Sequence, residues 1–273
     1  MELAHNAGQI RAAGLGLAAI SYDSPAVLKN FAERQKIGFP LLSDQGSRVI
    51  REFGLLNAEA PKDSIAFGVP YPGIYILDAR GVVTAKHFET DYKESASTGL
   101  ILLRQFGIEP ETPHESQRAK HLTLTTSSTA ATLRTALKLE LNIDIALDPR
   151  VHVYAPGVEG YIPISWSVNE SPAWKPAEVV FPASKKLRLE AINETVPVFD
   201  GKFRLRRELV ITDEKDVRPL LDSNGNLTIS GSVKYQACDD RQCFLPSTVA
   251  VKWTLPFEGL DRTRVPSELQ RKP

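Results

Sequence analysis

The 273-residue sequence predicts two domains of different class, an α/β domain followed by an all-β sandwich. Three observations carry this. Strand and helix signals alternate over residues 17–107. From His121 onward strand signals dominate, separated by turn residues. Between the two stretches, residues 108–120 (Ile-Glu-Pro-Glu-Thr-Pro-His-Glu-Ser-Gln-Arg-Ala-Lys) are polar, proline-bearing and aperiodic, and read as a linker. The expected division is 1–107, linker 108–120, sandwich 121–257 and a polar tail 258–273.

In the first domain, Leu17-Ala-Ala-Ile-Ser-Tyr22 reads as a buried strand. Asp23-Ser24-Pro25 then supplies an N-cap and a first-turn proline. Val27, Leu28, Phe31 and Ala32 form the apolar stripe of a helix expected to stop near Gly38. Phe39-Pro-Leu-Leu-Ser-Asp44 leads into a second helix at Ser47–Phe53. Gly73–Asp78 and Val82–Phe88 read as a hairpin turned by Asp78-Ala-Arg-Gly81, and a last helix covers about Tyr92–Phe106.

The second domain reads as strands at Leu122–Thr126, Leu137–Ala146, His152–Tyr154, Ile162–Val168, Glu178–Phe181, Leu187–Ile192 and Phe203–Thr212, with two more around 227–235 and 248–255. Asp148-Pro149, Asp200-Gly201 and Asn224-Gly225 supply turns. So many short strands over this length argue for a β-sandwich.

Only two cysteines occur, at the ends of one short loop in Tyr235-Gln-Ala-Cys238-Asp-Asp-Arg-Gln-Cys243-Phe-Leu-Pro246. Strand residues on both sides place them at facing ends of an antiparallel hairpin, where Cα atoms lie roughly 4.5–5.5 Å apart, within reach of a disulfide. Three readings stand open. A structural staple is weakened because so short a loop constrains few unfolded conformations. Structural zinc needs four ligands, and His5, His87, His114, His121 and His152 form no ligand-spaced cluster. A redox-active dithiol is favoured. Arg241 favours a thiolate and Asp239 and Asp240 oppose it, so charge alone does not name the nucleophile.

Charge is balanced at 33 basic and 33 acidic residues, with no basic patch suited to nucleic acid. No apolar run is long enough to span a membrane. The start, Met-Glu-Leu-Ala-His-Asn-Ala-Gly, lacks the basic and apolar regions of a signal peptide, whereas a cysteine pair in a hairpin suits an oxidising compartment.

Ile20-Ser-Tyr-Asp-Ser-Pro25, Phe39-Pro-Leu-Leu-Ser-Asp44 and Tyr71-Pro72-Gly-Ile-Tyr-Ile-Leu-Asp-Ala-Arg-Gly-Val-Val83 resemble thioredoxin-like redoxins of the peroxiredoxin (AhpC/TSA) type, over roughly residues 1–107. The resemblance implies a thioredoxin-like fold, with Pro72 where such folds carry a cis-proline. It also implies that the first strand and the reactive cysteine are missing from this half, which contains no cysteine. The expectation is a truncated gene product, or else a docking module. An absent internal strand leaves its neighbours, 17–22 and 73–78, with unpaired backbone and exposed apolar faces.

His152-Val-Tyr-Ala-Pro-Gly157, Val198-Phe199-Asp-Gly-Lys202 and the Tyr235–Pro246 stretch resemble the immunoglobulin-like N-terminal domain of the thiol:disulfide interchange protein DsbD, over about 121–257. This resemblance implies an electron relay between a membrane thiol–disulfide transporter and extracytoplasmic thioredoxin-like proteins, with no cofactor. It implies Phe199 as a cap over the dithiol, His152 and Tyr154 beside it, Cys243 as the sulfur that joins partners and Cys238 as the resolver. Pro197 and Val198 replace acidic residues of better-known members, and the inter-cysteine loop is one residue shorter, so proton handling and partner choice are expected to differ.

The sequence therefore leads to a thiol–disulfide oxidoreductase or electron relay acting through Cys238 and Cys243, extracytoplasmic as a full-length protein. Two rivals stand: a peroxidase whose reactive cysteine lies upstream, and a non-catalytic binding protein with a structural disulfide.

Overall fold

The computed structural model describes residues 2–57, 69–88, 94–189 and 193–269. They form two compact units, Met1–Ile108 with Leu260–Pro273, and Glu109–Gly259.

The first unit contains α1 (Glu2–Ala12), β1 (Ala19–Ser21), α2 (Pro25–Gln35), β2 (Leu41–Ser43), α3 (Arg48–Glu52), β3 (Ile74–Leu77), β4 (Val83–His87), β5 (Ser95–Ala96) and α4 (Thr98–Phe106). Local chemistry sets the boundaries. Ser24 caps α2 by accepting from the Val27 N–H at 3.4 Å, and Pro25 sits in the first turn. That helix stops at Lys36, in the left-handed region at φ 51°, two residues before the glycine expected to end it. The Asp44 carboxylate accepts from the Ile50 N–H at 2.8 Å at the start of α3. Ser97 caps α4, and the left-handed Gly107 ends it. Residues 92–93, the expected beginning of that last helix, lie outside the described residues.

β1 and β2 run parallel, with Ile20 opposite Leu42, and β3 and β4 run antiparallel. Among the described residues the two pairs are separate two-stranded ribbons. Ile20, Leu42 and Leu77 are all exposed. The Tyr71–Pro72 peptide is trans, as is every described peptide, so Pro72 is not a cis-proline. Trans is the default of an X–Pro bond by about 0.5–1 kcal/mol.

The second unit contains β6 (Glu115–Ala119), β7 (Leu122–Ser128), β8 (Leu137–Leu147), β9 (His152–Tyr154), β10 (Ser165–Val168), β11 (Trp174–Val180), β12 (Lys185–Leu189), β13 (Glu194–Asp200), β14 (Lys202–Ile211), a short α5 (Glu214–Val217), β15 (Asn226–Tyr235), β16 (Ala237–Cys238) and β17 (Ser247–Pro256). One sheet has the order β11-β14-β8-β7-β6, a second β10-β15-β17 and a third β12-β13-β9-β16. Alternation along the strands builds the core. Leu139, Leu141, Ile143 and Ile145 of β8 and Leu205 and Leu209 of β14 pack with Leu227, Ile229 and Val233 of β15 and Val251 and Leu255 of β17. Trp166 and Trp253 stack within this core at 5.5 Å between ring centroids.

Residues 115–119, expected as linker, are instead the edge strand β6, paired antiparallel with β7. Their polar side chains hide the strand from any hydrophobic pattern. What fixes it is the backbone ladder, helped by Arg118, which donates twice to Asp148 at 2.8 and 2.7 Å. The expected tail is not free of structure either, since Asp261 accepts from Arg34 and Gln35.

Candidate functional site

The long hairpin of β15 and β17 stays in register from Asn226↔Pro256 to Tyr235↔Ser247. Beyond Tyr235 the chain changes sheets, and β16 pairs with β9 instead. The expected hairpin is thus present, but its tip belongs to the third sheet. Asp239 shapes the loop there. Its Oδ1 accepts from the N–H groups of Arg241 and Gln242, both at 2.8 Å, and its own N–H donates to the Gln242 carbonyl at 2.9 Å. Those two backbone donors hold the Asp239 carboxyl below the usual range. Below the loop, the Phe244 N–H donates to the Ala237 carbonyl at 2.8 Å.

This turn brings Cys238 and Cys243 face to face as a disulfide, with an S–S distance of 2.07 Å and a Cα–Cα distance of 4.0 Å. The approach is closer than the spacing expected from the sequence. The two sulfurs live in different surroundings. Cys238 is 1% exposed, whereas Cys243 is exposed to solvent. Leu245, two residues after Cys243, is 84% exposed.

β9 lies between β13 and β16, and its alternation decides what meets the disulfide. Val153 points into the main core, while Tyr154 packs with Cys238, Val196 and Val198 in a smaller cluster on the opposite face. The Tyr154 hydroxyl lies 3.6 Å from the Cys243 Sγ. A disulfide sulfur has no proton, so the hydroxyl is the donor. Burial, followed by the charge of Glu194, pushes the Tyr154 phenol up. Tyr161 packs on Tyr154 at 4.3 Å and donates to Glu194 Oε2 at 2.8 Å. His152 is opposite Cys238 in register and is buried, with Nε2 unpartnered.

Two of the expected neighbours, His152 and Tyr154, therefore lie at the dithiol. Phe199 does not. It is 4% exposed in the main core and stacks on Phe203 at 4.8 Å, with Phe181 at 6.3 Å. The residues of β13 that cluster with Cys238 are Val196 and Val198, the latter one position before Phe199 and hence on the other face. Phe199 is a core aromatic and not a cap. Pro72 belongs to the first unit and Cys238 and Cys243 to the second. Tyr161, Glu194 and Val198 had no mark in the sequence as site residues. Their only signal is the period-2 alternation of β13 and the proximity of residue 161 to β9. Among the described residues no cluster of His, Cys, Asp or Glu is placed to hold a metal.

Residues 1–86 match the model of the AhpC/TSA family, and residues 123–254 match that of the N-terminal domain of thiol:disulfide interchange protein DsbD. Peroxiredoxin Bcp of Escherichia coli (strain K12) is 31% identical over 104 residues, 37% of this chain and 62% of that protein. The chloroplastic peroxiredoxin Q of Sedum lineare is 40% identical over 76 residues, 28% of this chain and 37% of that protein. The chain thus spans less than two thirds of the length of these curated relatives. The N-terminal periplasmic domain of ScsB from Proteus mirabilis aligns with 53% of this chain and 50% of its own, at 11% identity and a TM-score of 0.34. Residues 1–86 are thus similar to AhpC/TSA redoxins and residues 123–254 to the DsbD N-terminal domain, and those two matches with the Cys238–Cys243 pair support a thiol–disulfide redox function.

Proposed function

We propose that the chain is a thiol–disulfide oxidoreductase that relays two electrons through Cys238 and Cys243. The observation that carries this is the asymmetry of the pair: Cys243 is an exposed residue two positions before an exposed leucine, and Cys238 is buried. Exchange depends on access as well as on thiolate fraction, so Cys243 is the sulfur that meets partners. In the reduced protein, the Cys243 thiolate attacks a partner disulfide, forming a mixed disulfide and releasing one partner thiolate. Cys238 then attacks Cys243 Sγ, the internal disulfide forms, and the partner leaves with both electrons. The reverse sequence reduces the domain.

The partner class that fits is a thioredoxin-like protein on one side and a membrane thiol–disulfide transporter on the other, in an extracytoplasmic compartment where such disulfides persist. No described helix is long and apolar enough to cross a membrane, so a transporter would be a separate chain or segment. Single-cysteine variants of the full chain test the order of events. Cys238→Ala should trap a stable mixed disulfide with a thioredoxin-like protein whose own resolving cysteine is replaced by serine and whose remaining cysteine is activated as its 2-nitro-5-thiobenzoate disulfide, and Cys243→Ala should not. Trapping by Cys243→Ala but not by Cys238→Ala would reverse the assignment, and trapping by neither would refute the reading.

A further inference from the structure

Three adjacent strands carry a row of ionisable side chains, of which the exchange steps above use only Cys238. On β9, His152 stands opposite Asp200 of β13 on one side and opposite Cys238 of β16 on the other. Residues directly opposite in antiparallel strands share a face, with Cβ atoms about 4.5–5.5 Å apart. Asp200, His152 and Cys238 therefore form one line across the sheet. They lie on the face that Tyr154, two residues along β9, presents to the disulfide, and the His152 and Tyr154 rings meet edge to face at 5.6 Å.

His152 is 8% exposed, and its Nε2 has no hydrogen-bond partner. Leaving a buried nitrogen unpaired is costly. In the disulfide form Cys238 has no proton to offer it; in the dithiol form it has one. The charged groups around the ring are Asp200 on β13 and Asp239 and Asp240 in the loop after β16. Lys185 of β12 pairs with Asp200. Burial holds the imidazole below its ordinary range, against these three carboxylates.

We infer that His152 takes the proton of Cys238 when that thiol attacks the mixed disulfide at Cys243, with Asp200 supporting the imidazolium that results. The inference rests on the exchange function proposed above. The Cys238 S–H proton passes to His152 Nε2, and the sulfur electron pair forms the bond to Cys243 Sγ. The bond from Cys243 to the partner sulfur breaks, and the partner departs as a thiolate. When the disulfide is reduced in the reverse direction, the imidazolium returns the proton to the leaving Cys238.

An aromatic disulfide, 5,5′-dithiobis(2-nitrobenzoate), reads the two steps separately on the reduced full-length chain. The first equivalent of coloured thiolate reports attack by Cys243, and the second reports resolution by Cys238. His152→Gln should slow the second phase by about tenfold or more at pH 7, the low end of what positioned proton transfer contributes. It should also move the pH midpoint of that phase up toward the free-thiol value of about 8.5, while the first phase stays unchanged. A side chain that merely packs would not move that midpoint. Asp200→Asn, at the exposed end of the row, should slow the second phase in the same sense, and it carries the test if His152→Gln fails to fold. A second phase with unaltered rate and midpoint in a folded variant overturns the inference. Absence of any second phase in the unmodified protein overturns instead the exchange function on which it rests.

Discussion

Tyr154 places its hydroxyl 3.6 Å from the sulfur that meets solvent, and a donor there favours the thiolate once the pair is reduced. Tyr154→Phe keeps the ring against Tyr161 and Cys238 but removes the donor. Alkylation of the reduced Cys243 at neutral pH should then slow, and an unchanged rate would remove the role of that donor. Phe199 belongs to a different ledger. Because it stacks within the main core, Phe199→Ala should cost about 3–5 kcal/mol in urea unfolding. Alkylation of the reduced pair should stay at its original rate, and a faster one in a folded variant would restore a capping role. His152 has a consequence for stability as well. Its folded pKa is depressed by burial, so below about 6.5, the ordinary imidazole value, the unfolded chain binds the proton more readily than the folded one. Stability should therefore fall as pH drops through about 6.5 toward 5, before carboxylates protonate. His152→Gln should flatten that slope; an unchanged slope would assign it to other groups.

The three-residue β9 is the element on which the site depends. It pairs with β13 and β16 at once, sending Val153 into the core and His152 and Tyr154 to the disulfide. Its extent was legible in the sequence to the residue, and that of the long β15–β17 hairpin to within one residue at each end, because clean alternation and turn residues bound them. β13 was not, since Pro197 in mid-run argues against a paired strand. Losing β13 as a strand also lost its facing pattern, which sets Val196 and Val198 on the face of Cys238 and the Phe199 implied by the family resemblance on the other. β6 was missed for another reason: Ser116, Gln117 and Arg118 carry no apolar period, and the strand exists through backbone pairing. Amide exchange over Glu115–Ala119 should accordingly be slowed as in a paired strand, where a linker would exchange freely. Arg118→Ala should leave that protection in place and cost less than about 1 kcal/mol, the range of an exposed ion pair.

At the scale of the whole molecule, the thiols are confined to one unit. Both cysteines lie in Glu109–Gly259, and the first unit of this chain contains no thiol. Peroxide turnover by the 273-residue chain should therefore show no cysteine-dependent component assignable to that unit. Turnover that survives serine replacement of both thiols would point to another chemistry. Among the described residues β1–β2 and β3–β4 are separate ribbons, with Ile20, Leu42 and Leu77 exposed. The pairing of the cysteines with His152 and Tyr154 depended on strand register between segments some 85 residues apart, which local patterns do not encode and only the family resemblance suggested. Whether the pair exchanges electrons or simply staples the loop is decided most directly by the reduction potential of the full chain, equilibrated in thiol–disulfide buffers. An exchanging pair lies above about −300 mV, in the range of labile bridges, and a value well below about −300 mV is that of a structural bridge and would contradict the redox assignment.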